Sequence, residues 1–306
     1  MMDRLAHPFK IPQQGKSNMI KKIERILVAI DFSEPAFNAL DTAVSIAEKC
    51  NATLYILYVK DDFIESVGLS SFLASSVSTN SSNILTALSI DIAKKSSVKP
   101  VLIEVTGNTA KQIVGSAMKY NCSLLVMGTY GASGYRDGHI GTTAYGVIKY
   151  APCPIMIVPP GRKWTSFRRA LLPTRPVLTA LRHYDFIREI IERHSTLDIL
   201  GFKSASDNAE IDMANSLGEL KGKFNADKIT PKVQWVTGNL ITHLIVDNIN
   251  KNKSDLVVVT PVIDVSNKQF YIGPNTHYVI SNAKVPALVI NRVQVQNGIF
   301  PKMPVV

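Results

Sequence analysis

Short apolar runs alternate with longer amphipathic stretches along most of this chain. Arg25-Ile-Leu-Val-Ala-Ile30 is apolar at every position but its first, which suits a strand covered on both faces of a parallel sheet. Asp31-Phe-Ser-Glu-Pro35 reads as a strand-to-helix turn, with Ser33 as N-cap and Pro35 in the first turn. Ala36, Leu40, Ala43, Val44 and Ala47 then recur at helical spacing, and the pattern stops near Cys50-Asn51. Further strands are predicted at Thr53–Val59, Val101–Val105, Ser123–Met127 and Ile155–Val158, with helices at Ala110–Tyr120 and Ala144–Tyr150. The serine pairs Ser70-Ser71, Ser75-Ser76 and Ser81-Ser82 predict a mobile connector ahead of a helix around Ile84–Lys95. Strands alternating with helices imply right-handed crossovers and a parallel sheet.

The whole pattern then repeats. Thr106-Gly107-Asn108 returns as Thr237-Gly238-Asn239. At a shift of 132 residues Val126-Met127 falls on Val258-Val259, Gly141 on Gly273, Val147-Ile148 on Val279-Ile280, Ala151 on Ala283 and Pro154 on Pro286. At the front, Ile26-Leu27 aligns with Ala170-Leu171 at a shift of 144, so the second copy has a shorter middle. The breaker cluster Pro159-Pro160-Gly161 marks the boundary. The expected organisation is a flexible leader over 1–22, a first domain over 23–160 and a second over 161–306. The expected fold class is α/β, with two tandem five-stranded parallel-sheet, Rossmann-like domains.

Composition narrows the function. Of 306 residues 46% are hydrophobic and 19% charged, which describes a core-forming chain and excludes a disordered one. No apolar run approaches the roughly 20 residues that span a bilayer, and no apolar segment of a secretory signal follows the basic N-terminal stretch. A cytoplasmic protein is expected. The three cysteines, Cys50, Cys122 and Cys153, are scattered and odd in number, so neither a disulfide framework nor a zinc site is expected, and each reads as a small buried hydrophobe. The six histidines contain no H-E-x-x-H motif. The net charge of +10 includes Arg162, Lys163, Arg168, Arg169, Arg175 and Arg182 in a stretch without acids. With no helix-turn-helix, zinc finger or aromatic RNA-binding signature beside it, this stretch reads as a solvated linker and strand edge, not as a nucleic-acid surface.

Candidate chemistry concentrates in Gly128-Thr-Tyr-Gly131, followed after nine residues by Gly141-Thr142-Thr143. The first part closes the fourth strand and the second opens a helix. Ligands of open parallel sheets bind outside the carboxyl ends of strands, at the topological switch point. Glycines there admit a phosphate close to the backbone, and a helix start offers unpaired N–H groups and the positive end of a dipole. Thr142 and Thr143 add hydroxyls, and Asp31, at the end of the first strand, can accept from ribose hydroxyls or an adenine amino group. The spacing matches neither a Walker A loop nor the G-x-G-x-x-G fingerprint.

Taken with Asp31 in Ala29-Ile-Asp-Phe-Ser33, the pattern G-x2-G-x9-G-[ST] resembles the universal stress protein family. The resemblance runs from about Lys22 to Val158 and includes Thr106-Gly107 and the closing Pro152-x-Pro154-Ile-x-Ile-Val158. It implies a five-stranded parallel sheet and a stress-response regulator that binds ATP, with or without Mg²⁺, and hydrolyses it weakly at most. Carried over by position, Ala29, Ile30, Asp31 and Val59 would surround the adenosine. Met127, Gly128, Tyr130 and Gly131 would wall the ribose and first phosphate, and Gly141, Thr142, Thr143 and Ala144 would hold the other phosphates. Tyr130 stands where members often carry His. Asp137 and His139 could be proposed as acid and base, but loop polarity accounts for them equally. A non-catalytic interaction module, with an empty site or another ligand, and a slow ATPase stay open as alternatives.

The second copy departs from the pattern. Asp31 becomes Arg175, Gly128 becomes Thr260, Gly131 becomes Ile263 and Thr142 becomes Pro274, which removes an N–H that a phosphate would use. Only Gly141 persists, as Gly273. The resemblance implies that Ile155–Val158 pairs domains, and its counterpart Ala287–Ile290 is as apolar. Two such edges are expected to cover each other within the chain, as a pseudo-twofold pair that leaves homodimerisation to other surfaces.

Overall fold

The apolar runs become strands because the sheet buries them from both sides. The computed structural model describes residues 22–60, 71–130, 140–174, 183–202, 209–238, 240–261 and 273–290. The first half holds strands β1 (Arg25–Ile30), β2 (Thr53–Lys60), β3 (Val101–Thr106), β4 (Leu124–Gly128) and β5 (Ile155–Val158), with helices α1 (Glu34–Cys50), α2 (Ser71–Lys95), α3 (Thr109–Lys119) and α4 (Thr142–Tyr150). The second half holds β6 (Arg169–Thr174), β7 (Thr196–Phe202), β8 (Thr230–Val236), β9 (Leu256–Val259) and β10 (Ala287–Val289), with α5 (Tyr184–Ile190), α6 (Ala209–Asp227), α7 (Ile241–Asn252) and α8 (Pro274–Asn282). Apart from Lys22, the leader lies outside the described residues.

Each half is a parallel five-stranded sheet, and the two join into one sheet in the order β3-β2-β1-β4-β5-β10-β9-β6-β7-β8. The strand order reverses between β1 and β4, which puts the switch point at their carboxyl ends, and β6 and β9 repeat it. The copies share a register. Ile26 pairs with Leu124 in the first half, and their equivalents Ala170 and Leu256 pair in the second. Helices α4 and α8 begin 132 residues apart, as do the left-handed residues Asn121 and Lys253 that follow α3 and α7.

The halves meet as the edge argument requires. Strands β5 and β10 pair antiparallel, Met156 opposite Leu288, Ile155 opposite Val289 and Ile157 opposite Ala287. Met156 and Leu288 are equivalent positions, so the local twofold passes through that pair. Both are fully buried, and each such side chain contributes about 1.5–3 kcal/mol on leaving water. Tyr145 and His277, also equivalent, face each other with ring centroids 6.5 Å apart.

The end of α1 locks onto the second half. Lys49 donates to the carbonyls of Ile190, at 2.8 Å, and Ile191, at 2.5 Å, with the Glu192 carboxylate 3.6 Å away. The Cys50 thiol donates to the Glu189 carbonyl at 3.4 Å. Cys122 and Cys153 are buried as expected, but Cys50 is half-buried because it serves this contact.

One expected element is corrected. The serine-rich connector is helix from Ser71 onward. Ser82 donates to the Glu104 carboxylate of β3 at 2.5 Å and Ser81 at 3.3 Å, while Leu85 and Ile92 bury against the sheet. A hydroxyl that finds a tertiary acceptor no longer competes for its own backbone. The basic stretch is also largely paired. Lys163 meets Asp41 at 2.7 Å, Arg169 meets Asp198 at 2.7 Å, and the Arg162 guanidinium lies 3.5 Å from the Trp164 ring centre. Arg175 and Arg182 lie outside the described residues. No helix among the described residues is long and apolar enough to cross a membrane.

Candidate functional site

The switch point of the first half brings together β1, β2, β4 and the start of α4. Asp31 follows β1 and is exposed; its Oδ1 accepts from the Ser33 hydroxyl at 2.5 Å and the Ser33 N–H at 3.1 Å. Ser33 in turn caps α1 by accepting from the Ala36 N–H at 3.4 Å. Asp31 is thus not itself the cap but the group that aims it. Between the two, Phe32 has φ 62°, a left-handed conformation that is unfavourable for a bulky residue. Its ring lies 4.9 Å from that of Tyr58 on β2. Burial pushes the Tyr58 phenol above its ordinary value, Lys60 opposes, and the charges of Glu104 and Asp31 add to the rise.

Across the switch point, β4 ends at Gly128. A Cβ there would lie 2.9 Å from the Pro35 Cβ and 3.0 Å from the Pro35 carbonyl carbon. This glycine therefore lets the first turn of α1 close on β4, a packing reason the sequence reading did not foresee. Thr129 follows, its N–H and hydroxyl both donating to the Val158 carbonyl at 3.0 Å. The Gly141 N–H donates to the Thr129 carbonyl at 3.2 Å, which ties the start of α4 to the end of β4.

Gly141 is the N-cap of α4 and, lacking a side chain, makes no side-chain bond to the helix. The first-turn N–H groups of Thr142, Thr143 and Ala144 thus meet no capping oxygen from it, the arrangement that receives an anion. Thr142 is exposed, Thr143 half-buried and Ala144 buried. Ala29 and Val59 are half-buried at the ends of β1 and β2. Ile30, Met127 and Tyr130, at 5%, 6% and 7% exposed, are buried at this end of the sheet. Gly131, Asp137 and His139 lie outside the described residues.

Two groups at this end were missed. Lys60 closes β2, and its ammonium stands 3.3 Å from the Glu104 carboxylate. Burial works against the Glu104 charge, but hydrogen bonds from Ser82, Lys60 and Ser81 prevail and hold its carboxyl below the ordinary value. A lysine ending a strand beside Val59 was the available signal. Among the described residues no cluster of His, Cys, Asp and Glu could hold a metal. An adenine nucleotide fits the donor set on one observation: an open helix cap and the carboxylate that follows β1, Asp31, both belong to the switch point.

These features define a doubly wound α/β domain with an anion-receptive helix start at its switch point. Residues 22–159 match the sequence model of the Universal stress protein family. That match spans 138 of the chain's 306 residues, so the likeness lies in the first half. The chain is 29% identical over 151 residues to universal stress protein YxiE of Bacillus subtilis, a match covering 44% of this chain and 97% of that protein. It is also 29% identical over 150 residues to a universal stress protein of Methanocaldococcus jannaschii, covering 48% of this chain and 86% of that one. In fold, 88% of the chain superposes on 98% of a universal stress protein from Archaeoglobus fulgidus, with TM-score 0.67 and 18% identity. That likeness extends the fold over both halves.

Proposed function

We propose that the first half binds ATP, with or without Mg²⁺, and that the chain is a cytoplasmic stress-response regulator and not a dedicated catalyst. The observation that carries this reading is the open cap of α4 at the switch point, where Asp31 follows β1. In it, the N–H groups of Thr142, Thr143 and Ala144 and the two threonine hydroxyls hold phosphates, with Gly141 allowing the approach. Asp31 takes ribose hydroxyls or the adenine amino group, and Ala29, Ile30 and Val59 border the adenosine. Met127, Gly128, Tyr130 and Gly131 border the ribose and first phosphate. The second half serves as the built-in partner of the first, and any homodimer uses other surfaces.

One observation favours a second reading. Packing against Pro35 accounts for Gly128 without a ligand, as an interaction module with an empty site would have it. Mass spectrometry of nucleotide released from the denatured protein, with calorimetry on the stripped chain, separates the two. One ATP per chain is expected. Two equivalent sites would overturn the assignment to one half, and no binding would leave the interaction module.

A further inference from the structure

The second half replaces one hydrophobic cluster of the first with charged and amide groups, at the opposite end of the sheet from the switch point. In the first half Tyr55 on β2 stacks on Tyr120 at the end of α3, ring centroids 4.9 Å apart. Val101 of β3 sits beside Tyr55 in register, and Arg25 donates from Nε to the Asn121 carbonyl at 3.0 Å. The shared register gives the equivalents directly. Tyr55 becomes Asp198, because Arg25 pairs with Thr53 as Arg169 pairs with Thr196. Val101 becomes Lys232, since Asp198 pairs with Lys232 as Tyr55 pairs with Val101. Tyr120 becomes Asn252, each preceding the equivalent left-handed residues Asn121 and Lys253.

Three neighbouring positions thus turn polar together, and the arginine turns with them. Arg169 keeps the place of Arg25 but directs Nε to the Asp198 carboxylate at 2.7 Å. Where two tyrosine rings fill the first half, the second has a cavity of about 220 Å³ lined by Arg169, Leu171, Asp198, Lys232, Gln234 and Asn252. Asp198 is 6% exposed. A buried carboxylate held by one arginine nitrogen is a poor bargain for stability, and a pair of rings would be the cheaper filling. Among the described residues the remaining Arg169 nitrogens, the Lys232 ammonium and the Asn252 amide have no hydrogen-bond partner.

We infer that this cavity is a binding site for a small oxyanion group, a phosphate or a carboxylate, held by the Arg169 fork, Lys232 and the Asn252 amide. Two cations against one carboxylate leave the cavity one positive charge in excess. A guanidinium fork already fixed through Nε is pre-aimed for bidentate contact with such a group. The volume lies below the roughly 300–1,000 Å³ of drug-sized pockets, so the ligand is a small molecule and not a nucleotide. The inference does not depend on ATP binding in the first half.

Two-dimensional amide NMR on the full chain tests it, with inorganic phosphate and malonate as separate probes. Saturable shifts centred on Arg169, Asp198, Lys232 and Asn252 are expected, and the probe that shifts them at lower concentration identifies the oxyanion. Lys232→Ala should weaken that binding about tenfold, the size of one charge-assisted hydrogen bond. Asp198→Tyr with Asn252→Tyr should abolish it by restoring the rings. Lys232→Ala changes an exposed edge residue, so it keeps the test open if the tyrosine pair misfolds. Shifts confined to Thr142–Ala144, shifts unaltered by Lys232→Ala, or none up to tens of millimolar would each overturn the inference.

Discussion

Helices α4 and α8 begin in nearly the same way and differ in the residue that follows the cap. Their N-cap glycines, Gly141 and Gly273, have φ and ψ of −58° and 146° against −52° and 147°, and neither cap makes a side-chain bond. The next residue is Thr142 in one and Pro274 in the other, so the same helix start offers one N–H fewer in the second half. Gly128 likewise has Thr260 as its counterpart. The glycine cap is therefore part of the frame, and in the first half a Cβ on it would stand 3.2 Å from the Thr129 carbonyl oxygen. In the proposed reading the anion chemistry resides in the residues around it, separable from that frame.

The comparison breaks most completely at the seam between the halves. Met156→Lys would place an ammonium at the local twofold, opposite the fully buried Leu288. A buried charge without a partner costs about 3–5 kcal/mol, enough to part the halves or unfold the chain. Small-angle scattering should show an extended pair or a loss of compactness. An unchanged profile would mean that the β5–β10 ladder is not what joins the copies.

Gly128→Thr imports the second half's residue and comes next in size. Its Cβ would meet Pro35 atoms, backbone included, at 2.9–3.2 Å, and overpacking of that kind costs about 1–3 kcal/mol. Urea unfolding should show the loss, and nucleotide binding should fall with it. A stable variant that lost binding alone would return Gly128 to the role of a phosphate-approach glycine.

Thr142→Pro imports the other difference at less cost to the fold, because proline suits the first turn of a helix, as Pro274 in α8 attests. Melting should change little, while ATP affinity falls by more than about tenfold, because both the Thr142 N–H and its hydroxyl are lost. Equal affinity in calorimetry would remove α4 from the site.

The frame was legible in the sequence and the reasons for some of its residues were not. The β5 limits, the Ser33 cap and the repeat all follow from local patterns that this fold respects. Ser81 and Ser82 misled because their acceptor, Glu104, is 22 or 23 residues away, out of reach of any local pattern. Phe32 gave no sign of a positive φ, since nothing in a phenylalanine announces one. The Gly128 spacing was visible, but its contact with Pro35 arises only once α1 folds back onto β4. The polar cavity of the second half was latent in the repeat and emerges when Tyr55 and Tyr120 are set against Asp198 and Asn252.

All three cysteines lie in the first half, so the halves should part company in alkali, though by the smallest margin here. Burial pushes the Cys50 thiol up to about 11, with the Glu189 charge adding and Lys49 opposing, and burial likewise pushes Cys122 up to about 11. Both begin from 9.0, so the folded chain keeps protons that the unfolded chain sheds between 9 and 11. The stability they contribute is whole below pH 9 and is lost as pH rises toward 11. Lys49 works the other way. Its pKa is lowered by desolvation against its ion pairs, so its contribution improves as pH climbs through the folded value toward 10.5. In the second half the Tyr184 phenol is raised by burial and by its bond to Asp227, and it starts from 10.0, so losses there begin later. Between pH 9 and 10 the first half alone should soften through its thiols. Urea midpoints of the wild type and Cys50→Ala, compared at pH 8 and pH 10, should move in favour of the variant at the higher pH. A difference independent of pH would mean that the Cys50 thiol does not hold its proton at the junction with Glu189.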